Sequence, residues 1–417
     1  MTGPPNGRLP RETLDHGHRP TNEPAKDLEE SAIRVAFVHS FYSSRQPSGE
    51  NGVVESEVSA LRAAGHEVRL FAARTDDLER DRLYPVRAAV RVATGAGRSP
   101  LAAIEGFGPD VVHVHNLFPN IGRRWVRRLE RPLVTTLHNY RPLCVNGLLY
   151  RDGHVCTLCP DGHRWSGLRY ACYRESRAAS LPLTLANLGG PAADPLLARA
   201  DRIVVLSTLA AEVYAAAGIP AERLTVWPNF LRADLDPGRG EAEGATDGFL
   251  YVGRLSPEKA IARLVAAWPS GDAAPVLRVV GEGPDDEAVR AAAAGRRVEV
   301  LGRVTRPEVV GLMRRSLGLV FPSAWYEGFP LVYAEAMAAG LPVLAWAPNV
   351  VSGWVAEDGT GTATSWDRDL DQVLAEAAAS FPGRREACRG VFEARYSESA
   401  YVARAEALYG ELSRARA

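Results

Sequence analysis

Two carboxylates stand eight positions apart in the text WYEGFPLVYAEAMAAG, residues 325–340. An ionised group among apolar neighbours needs partners. Pro330 can open a helix, because a first-turn residue needs no N–H. The run from Leu331 to Ala339, apolar on all sides except at Glu335, reads as a buried helix, and Gly340 is a natural stop. Glu335 then lies one turn in, where it can accept two hydrogen bonds from a ribose diol. Its partner is expected to be that ligand rather than a side chain. Glu327, before the turn, can accept from a second polyol. The Gly328–Phe329–Pro330 turn and the start of the helix offer backbone amides to a phosphate or a sugar.

Cations for a diphosphate come from YVGRLSPEKA. Arg254 ends a strand and Lys259 follows five residues later; Arg supplies a fork and Lys a point charge. Of the 49 basic residues only Lys26 and Lys259 are lysines, and Lys26 lies in the N-terminal tail. A surface pair with Glu258 is the simpler alternative for Lys259. In GEGPDD, Gly281 and Gly283 permit close approach of a ligand to backbone, and LGRV places Val304 at another strand end.

In the first half, Gly49 and Gly52 bracket a turn ahead of an amphipathic helix. Its free N–H groups could receive an anion, although a plain strand–helix turn reads equally well. His138 ends the strand LVTTLHN, where a neutral imidazole or its cation can meet a sugar hydroxyl or a developing charge. His113 and His115 share one face of the preceding strand, and His113 reads as structural. Cys144, Cys156, Cys159 and Cys172 form C-x11-C-x2-C-x12-C, with Cys388 apart. Two readings stand for the four: a structural zinc site closing a long strandless loop, or independently packed thiols. RRWVRRLERP (123–132) reads either as a solvated helix face or as an Arg-rich helix whose Trp125 meets an anionic membrane.

The elements that must position these residues alternate between strand-like and helix-like patterns, the signature of parallel sheets covered by helices. Strand patterns occupy 33–40, 67–73, 110–116, 133–139, 201–207 and 224–229. A second series occupies 248–254, 274–283, 297–304, 317–324 and 341–347. At 417 residues two domains are expected. The expected division is a disordered tail (1–31), a first Rossmann-like domain (32–230) with a Cys-rich loop (140–176), a linker (231–247), a second Rossmann-like domain (248–393), and a terminal helix (394–417) packing back on the body. Both sets of strand ends would face one central cleft. A net charge of −1 gives no support for a polyanion-binding role. No run is long and apolar enough to span a bilayer, and no signal-peptide core opens the chain. A cytoplasmic protein is expected, with peripheral contact at the inner face of the membrane if the 123–132 helix lies on lipid.

Taken together, VGRLSPEK, VEVLGRV, FPSAWYEGFPLVYAEAMAAGLPVLA and the glycine loop before the GHEV strand resemble the retaining glycosyltransferases of family 4, over about residues 33–410. The resemblance implies the GT-B fold, a nucleoside-diphosphate-sugar donor, a hydroxyl acceptor, retained anomeric configuration and no catalytic metal. It assigns Arg254 and Lys259 to the diphosphate and Glu335 to the ribose. Glu327, with Gly328, Phe329, Pro330 and Leu331 after it, is assigned to the donor sugar. His138 would face that sugar, Gly52 would lie in the loop closing near donor and acceptor, and Gly281 and Val304 would border the donor. Two departures stand out: Ala260 where the family often has Gly after the lysine, and APNVVSGWVAEDGTG (347–361), from which no contact is carried over. A GT-B nucleotide-sugar epimerase would need a set of proton-abstracting acids that the sequence does not supply. A non-catalytic nucleotide-sugar-binding subunit would be expected to have lost the cations or carboxylates, all of which are present.

Overall fold

Every strand of the two main sheets runs parallel to its neighbours, as alternating strand and helix patterns require. The computed structural model describes residues 32–45, 49–238 and 247–415. The tail, and residues 239–246 of the linker, lie outside the described residues.

The first sheet is built from β1 (Arg34–Phe41), β2 (Glu67–Arg74), β3 (Val111–Asn116), β4 (Leu133–Leu137), β7 (Arg202–Val205) and β8 (Leu224–Val226), in the order β2-β1-β3-β4-β7-β8. Between β4 and β7 the Cys-rich segment forms a two-stranded ribbon, β5 (Tyr150–Arg151) with β6 (His154–Val155). That stretch is therefore not strandless. The second sheet holds β9 (Phe249–Val252), β10 (Leu277–Val280), β11 (Val298–Gly302), β12 (Gly318–Phe321), β13 (Val343–Trp346) and β14 (Gly361–Thr364), in the order β11-β10-β9-β12-β13-β14. Both sheets lie in one compact unit, Ile33–Ala417.

Central strands are buried on both faces, so they read as continuous Val/Ile/Leu runs instead of alternating ones. β12 and β13 are buried at every position. The last helix, Glu398–Arg414, returns to the first sheet: Tyr401 stacks on Phe230 and Trp227, with ring centroids 4.3 and 5.2 Å apart.

The direction of the chain reverses across the second sheet between β9 and β12, and across the first between β1 and β3. In an open parallel sheet those switch points leave a crevice beyond the carboxyl ends of the strands. The loops after β9 and β12 carry Arg254–Lys259 and Ser323–Pro330; His115 stands near the end of β3, and His138 follows directly after β4.

The 123–132 segment departs from the membrane-facing expectation. It forms a single short 3-10 turn, Arg124–Arg128, with Trp125 and Val126 buried in the core of the first half. Arg123 pairs with Asp194, and Arg124 donates to the Thr94 carbonyl at 2.8 Å. Its apolar side faces inward, so Trp125 is not offered to a bilayer, while Arg124, Arg127 and Arg128 remain exposed.

Candidate functional site

Lys259 and Glu327 meet at the switch point of the second sheet. After β9 the chain turns through Ser256 into a 3-10 turn, Pro257–Lys259, which aims the ammonium at the loop after β12. Lys259 Nζ pairs with Glu327 Oε1. The same oxygen accepts from Ser323 Oγ at 2.8 Å and Trp325 Nε1 at 3.1 Å. None of these three donors meets Oε2. The two loops are also tied by Ala324 N–H donating to the Glu258 carbonyl at 2.9 Å. Glu327 is 4% exposed, so its charge depends on these partners. Lys259 therefore pairs with a carboxylate 68 residues away, not with its neighbour Glu258, which instead accepts from Ser256 Oγ. Arg254 is exposed beside this pair and makes no ion pair among the described residues.

The residue after Lys259 carries a backbone cost. Ala260 has φ +53°, in the left-handed region where a Cβ is crowded. This is the position where the family resemblance led us to expect glycine.

The Gly328 turn abuts the first half. A Cβ on Gly328 would lie 2.9 Å from the His138 carbonyl oxygen, so only glycine lets the turn close onto the end of β4. Phe329 points away into the core, against Trp354 and Tyr396 at centroid distances of 5.4 and 5.3 Å, so only its backbone can serve a ligand. Pro330 is the N-cap of the helix Leu331–Ala338 instead of its first residue, and lacks an N–H. The first N–H groups of that helix have no intrahelical acceptor and open toward the same turn.

Glu335 corrects one expectation: its carboxylate has a side-chain partner. Arg306 Nη1 donates to Glu335 Oε1 at 2.8 Å, and Arg306 Nη2 reaches the Leu235 carbonyl at 3.2 Å. Glu335 is half-buried, lining a cavity of about 210 Å³ with Val304, Arg306, Val309, Leu231 and Leu235. The helix is thus buried on one side and open to this cavity on the other. Sequence reasoning missed Arg306, whose only signal was its place in the VTRPE helix start.

The glycines of GEG also have a different cause from the one expected. A Cβ on Gly281 would sit 1.8 Å from the Gly253 carbonyl, and one on Gly283 would sit 2.1 Å from that of Leu255. The close approach they permit is that of the chain's own 253–255 loop. Gly52 lies inside the helix Gly49–Ala63, not in a turn ahead of it, with open space where its Cβ would be.

His138 ends a buried polar relay. Its Nε2 lies 2.9 Å from His115 Nδ1; His115 Nε2 makes no hydrogen bond, its nearest carboxylate being Glu57 Oε2 at 3.4 Å, which accepts from Tyr401 Oη at 2.9 Å. Burial, reinforced by His39 and His113, lowers the pKa of His138 to about 3. The ring is therefore neutral, and the cationic role considered for it falls away. Burial alone raises Glu57 to about 8 against the opposing Tyr401 hydrogen bond. Glu57, His113 and His115 come close enough to suggest a metal centre, with ligand atoms within 4.8 Å of one another. Both ring nitrogens of His113 are already engaged, by Tyr409 Oη and Thr136 Oγ1, each at 2.7 Å. His115 Nδ1 is engaged by His138, which leaves two donors at most, short of a closed site.

All four clustered cysteines line one small enclosed pocket, with Asn146, Tyr150, Arg151, Ser166 and Tyr170. They are free thiols, and no three of their sulfurs lie within 4.8 Å of one another. The ribbon between Cys144 and Cys156 sends Tyr150 Oη to the Pro257 carbonyl, 3.3 Å away on the Lys259 turn.

Comparison with known proteins agrees with this geometry. The model of Glycosyltransferase Family 4 matches residues 48–235, and that of glycosyl transferases group 1 matches residues 246–381. Glycogen synthase from Mycobacterium tuberculosis is 28% identical over 265 residues, covering 61% of this chain and 56% of that protein. The matched stretch thus spans little more than half of that relative. A GDP-mannose-dependent alpha-mannosyltransferase from the same species is 27% identical over 338 residues, 75% of this chain and 79% of that one. Among solved structures, sucrose-phosphate synthase from Thermosynechococcus elongatus superposes with a TM-score of 0.61 at 20% identity, covering 91% of this chain and 99% of that one. The Anabaena protein HepE, in complex with UDP and glucose, gives a TM-score of 0.54 at 17% identity, covering 90% and 99%. These likenesses establish the GT-B arrangement of two parallel sheets.

Proposed function

The chain belongs to the family 4 glycosyltransferases, and from that premise we propose that it moves a sugar from a nucleoside-diphosphate donor to a hydroxyl acceptor with retained configuration. The observation that carries this reading is the Lys259–Glu327 pair at the switch point of the second sheet, closed against His138 by the Gly328 turn. Arg254 and Lys259 would neutralise the departing diphosphate, the largest charge that develops in such a reaction. Glu327 Oε2 and the turn amides would hold the donor sugar. Glu335 would take the ribose once a nucleotide displaces Arg306.

In the proposed step the bond from the anomeric carbon to the diphosphate oxygen breaks, and the acceptor oxygen bonds to that carbon on the same face. The acceptor proton passes to the leaving phosphate. Neutral His138 would then serve as a hydrogen-bonding partner for a sugar hydroxyl, oriented by His115 and Glu57 behind it. This chemistry calls on no resident metal, and in this reading the protein works in the cytoplasm, where nucleotide sugars are made.

The four cysteines have a separate role in this reading. Their shared pocket suits a structural zinc ion held by Cys144, Cys156, Cys159 and Cys172, bracing the ribbon that touches the Lys259 turn.

A thermal-shift screen against nucleotide sugars tests the main reading, because only a ligand that binds the folded chain raises its melting temperature. One donor should raise it, and Lys259→Ala or Glu335→Ala should abolish turnover. Full turnover in both variants would remove the site assignment.

A further inference from the structure

Behind His138 lies a ring nitrogen without a partner. His115 Nε2 is buried and makes no hydrogen bond, 3.4 Å from Glu57 Oε2, and the two side chains are 0 and 6% exposed. The ring is clamped in place. Phe37 stacks on it at 5.3 Å, His113 packs on it at 4.2 Å, and its Nδ1 is held by His138 Nε2 at 2.9 Å. A polar atom this deep costs free energy unless a neighbour supplies the bond.

Glu57 Oε2 also accepts from Tyr401 Oη at 2.9 Å, a donor brought in by the last helix, Glu398–Arg414. With that bond in place Oε2 can meet His115 Nε2 in two ways. A protonated carboxyl donates its O–H to a bare Nε2, and an ionised carboxylate accepts from Nε2–H. Each choice fixes the rest of the relay, because a neutral imidazole carries one proton. A bare Nε2 means Nδ1–H on His115, which donates to His138 Nε2 and leaves the His138 proton on Nδ1. Ionised Glu57 reverses both bonds and leaves His138 Nδ1 bare. The proton count closes: Glu57 gives its proton to His115, His115 gives its own to His138, and the Nδ1 proton of His138 leaves to the pocket.

His138 Nδ1 is the end of the relay that a ligand can reach. It makes no hydrogen bond among the described residues, and the partly exposed ring lines a cavity of about 110 Å³ with Glu50, Asn116 and Arg141. Glu57 is faced by His113 and His115 from β3 and by Tyr401 and Tyr409 from the last helix, with His39 of β1 beyond His115. Both nitrogens of His113 are taken by Tyr409 and Thr136, so it does not compete for the carboxyl. Apart from burial, Tyr401 is the one group that shifts Glu57 among the described residues; no charged side chain of its own helix or of a neighbour does so. Burial holds Glu57 protonated up to about 8, and keeps His115 and His138 neutral throughout that range.

We propose that Glu57, acting through His115, selects the tautomer of His138: protonated Glu57 makes Nδ1 an N–H donor toward a sugar oxygen in the pocket, and ionised Glu57 makes it an acceptor. Glu57, His115 and Tyr401 are positioning residues, and the donor form is the one that supports turnover at neutral pH. The proposal rests on the glycosyl-transfer reading and adds control of that same site.

Nitrogen-15 NMR of the ligand-free, histidine-labelled chain tests it, with the His138 signals assigned by their loss in His138→Gln. At pH 6.5 the proton should sit on Nδ1, and it should move to Nε2 with a midpoint of about 8. Tyr401→Phe removes the bond that favours ionised Glu57, so the midpoint should rise. Glu57→Gln keeps an N–H for His115 Nε2 and a carbonyl for Tyr401, so Nδ1–H should persist to pH 10. The kcat of the wild type should fall as pH rises through about 8, and this limb should vanish in Glu57→Gln. Glu57→Leu should lower kcat about tenfold, the factor carried by one lost hydrogen bond, with little change in donor KM. Glutamine at the same position should restore it. A His138 proton on Nε2 at pH 6.5, no tautomer change up to pH 10 in the wild type, or the same change in Glu57→Gln would each overturn the proposal. Because the tautomer is read without substrate, a wild-type chain that turns over no nucleotide sugar would count instead against glycosyl transfer.

Discussion

Lys259 and Glu327 are 68 residues apart in sequence and share an ion pair at the carboxyl ends of two adjacent strands, β9 and β12. Their side chains are 20 and 5% exposed, so each charge depends on the other. Removing one partner of a buried pair leaves the second uncompensated. Lys259→Met is expected to lower stability by about 3 kcal/mol and turnover by a hundredfold or more, on the order of other losses of charge stabilisation. Adding Glu327→Gln should restore most of the stability and none of the turnover. Urea denaturation and kcat measured on the two single variants and the double variant check this, and additive stability losses would contradict it.

Ala260 offers a gain. Its left-handed backbone costs an L-residue about 1 kcal/mol or more, and glycine returns part of that through its freer unfolded chain. Ala260→Gly is expected to stabilise the chain by about 0.5 kcal/mol, a small rise in melting temperature, with donor affinity unchanged or improved. A lower melting temperature would show that the Cβ makes packing worth more than the strain.

The paired carboxylates, Lys259, His138 and all eleven strand patterns were legible because each rests on local spacing. What stayed hidden depends on partners far away in sequence. Glu335 read as lacking a side-chain partner because Arg306 is 29 residues distant and reaches it across a cavity. The GEG glycines read as ligand-facing because nothing in their own text reveals the carbonyls of Gly253 and Leu255 beneath them. Trp125 read as exposed because its basic neighbours suggested a solvent face, whereas the side chain fills the core. β14 escaped notice because Gly361–Thr364 is a short run without branched apolar residues, recruited by pairing with β13. The Glu57 relay needed the sheet to bring β3, β4 and the first helix together.

That relay makes stability depend on pH from both sides. Burial lowers His39 to about 4 and His113 and His138 to about 3, and holds His115 well below its ordinary value. Below about pH 6.5 the unfolded chain binds protons that these folded imidazoles refuse, so stability falls as pH drops from 6.5 toward 4. Each such histidine can contribute up to about 1.4 kcal/mol per pH unit. Glu57 acts oppositely: folded, it keeps its proton up to about 8, while unfolded it loses it near 4.5. Its contribution is fully present below pH 4.5 and is lost as pH rises toward 8. Glu57→Gln should flatten the decline from neutrality toward pH 8 and steepen the acid limb between about 6.5 and 4.5, where Glu57 opposes the histidines. Melting temperatures measured from pH 4 to 9 on both proteins check this, and an unchanged alkaline limb in the variant would exclude Glu57 as its source.

The cysteine pocket leads to the last expectation. A tetrahedral zinc with Zn–S bonds of about 2.3 Å holds its sulfurs about 3.8 Å apart, so binding must draw these thiols together from their present spacing. The pocket they line is small and enclosed, and side-chain rotation is the natural route. Burial, with the other three thiols adding to it, pushes Cys159 up to about 11; a cation at the centre would reverse that balance and favour the thiolates. Among the described residues, five of the six non-glycine residues with positive φ lie between Leu149 and Glu175, a strained stretch that a cross-link would brace. The purified chain is expected to hold one zinc, and cobalt substitution should give the intense absorption of tetrahedral thiolate coordination. Chelation should lower the melting temperature, with Cys156→Ser reproducing the loss. Because Tyr150 reaches from the ribbon to the Pro257 carbonyl, the same treatment should weaken donor binding while Tyr150→Phe weakens it without releasing metal. Four thiols that titrate freely in native protein without stoichiometric zinc would return the cysteines to independent packing.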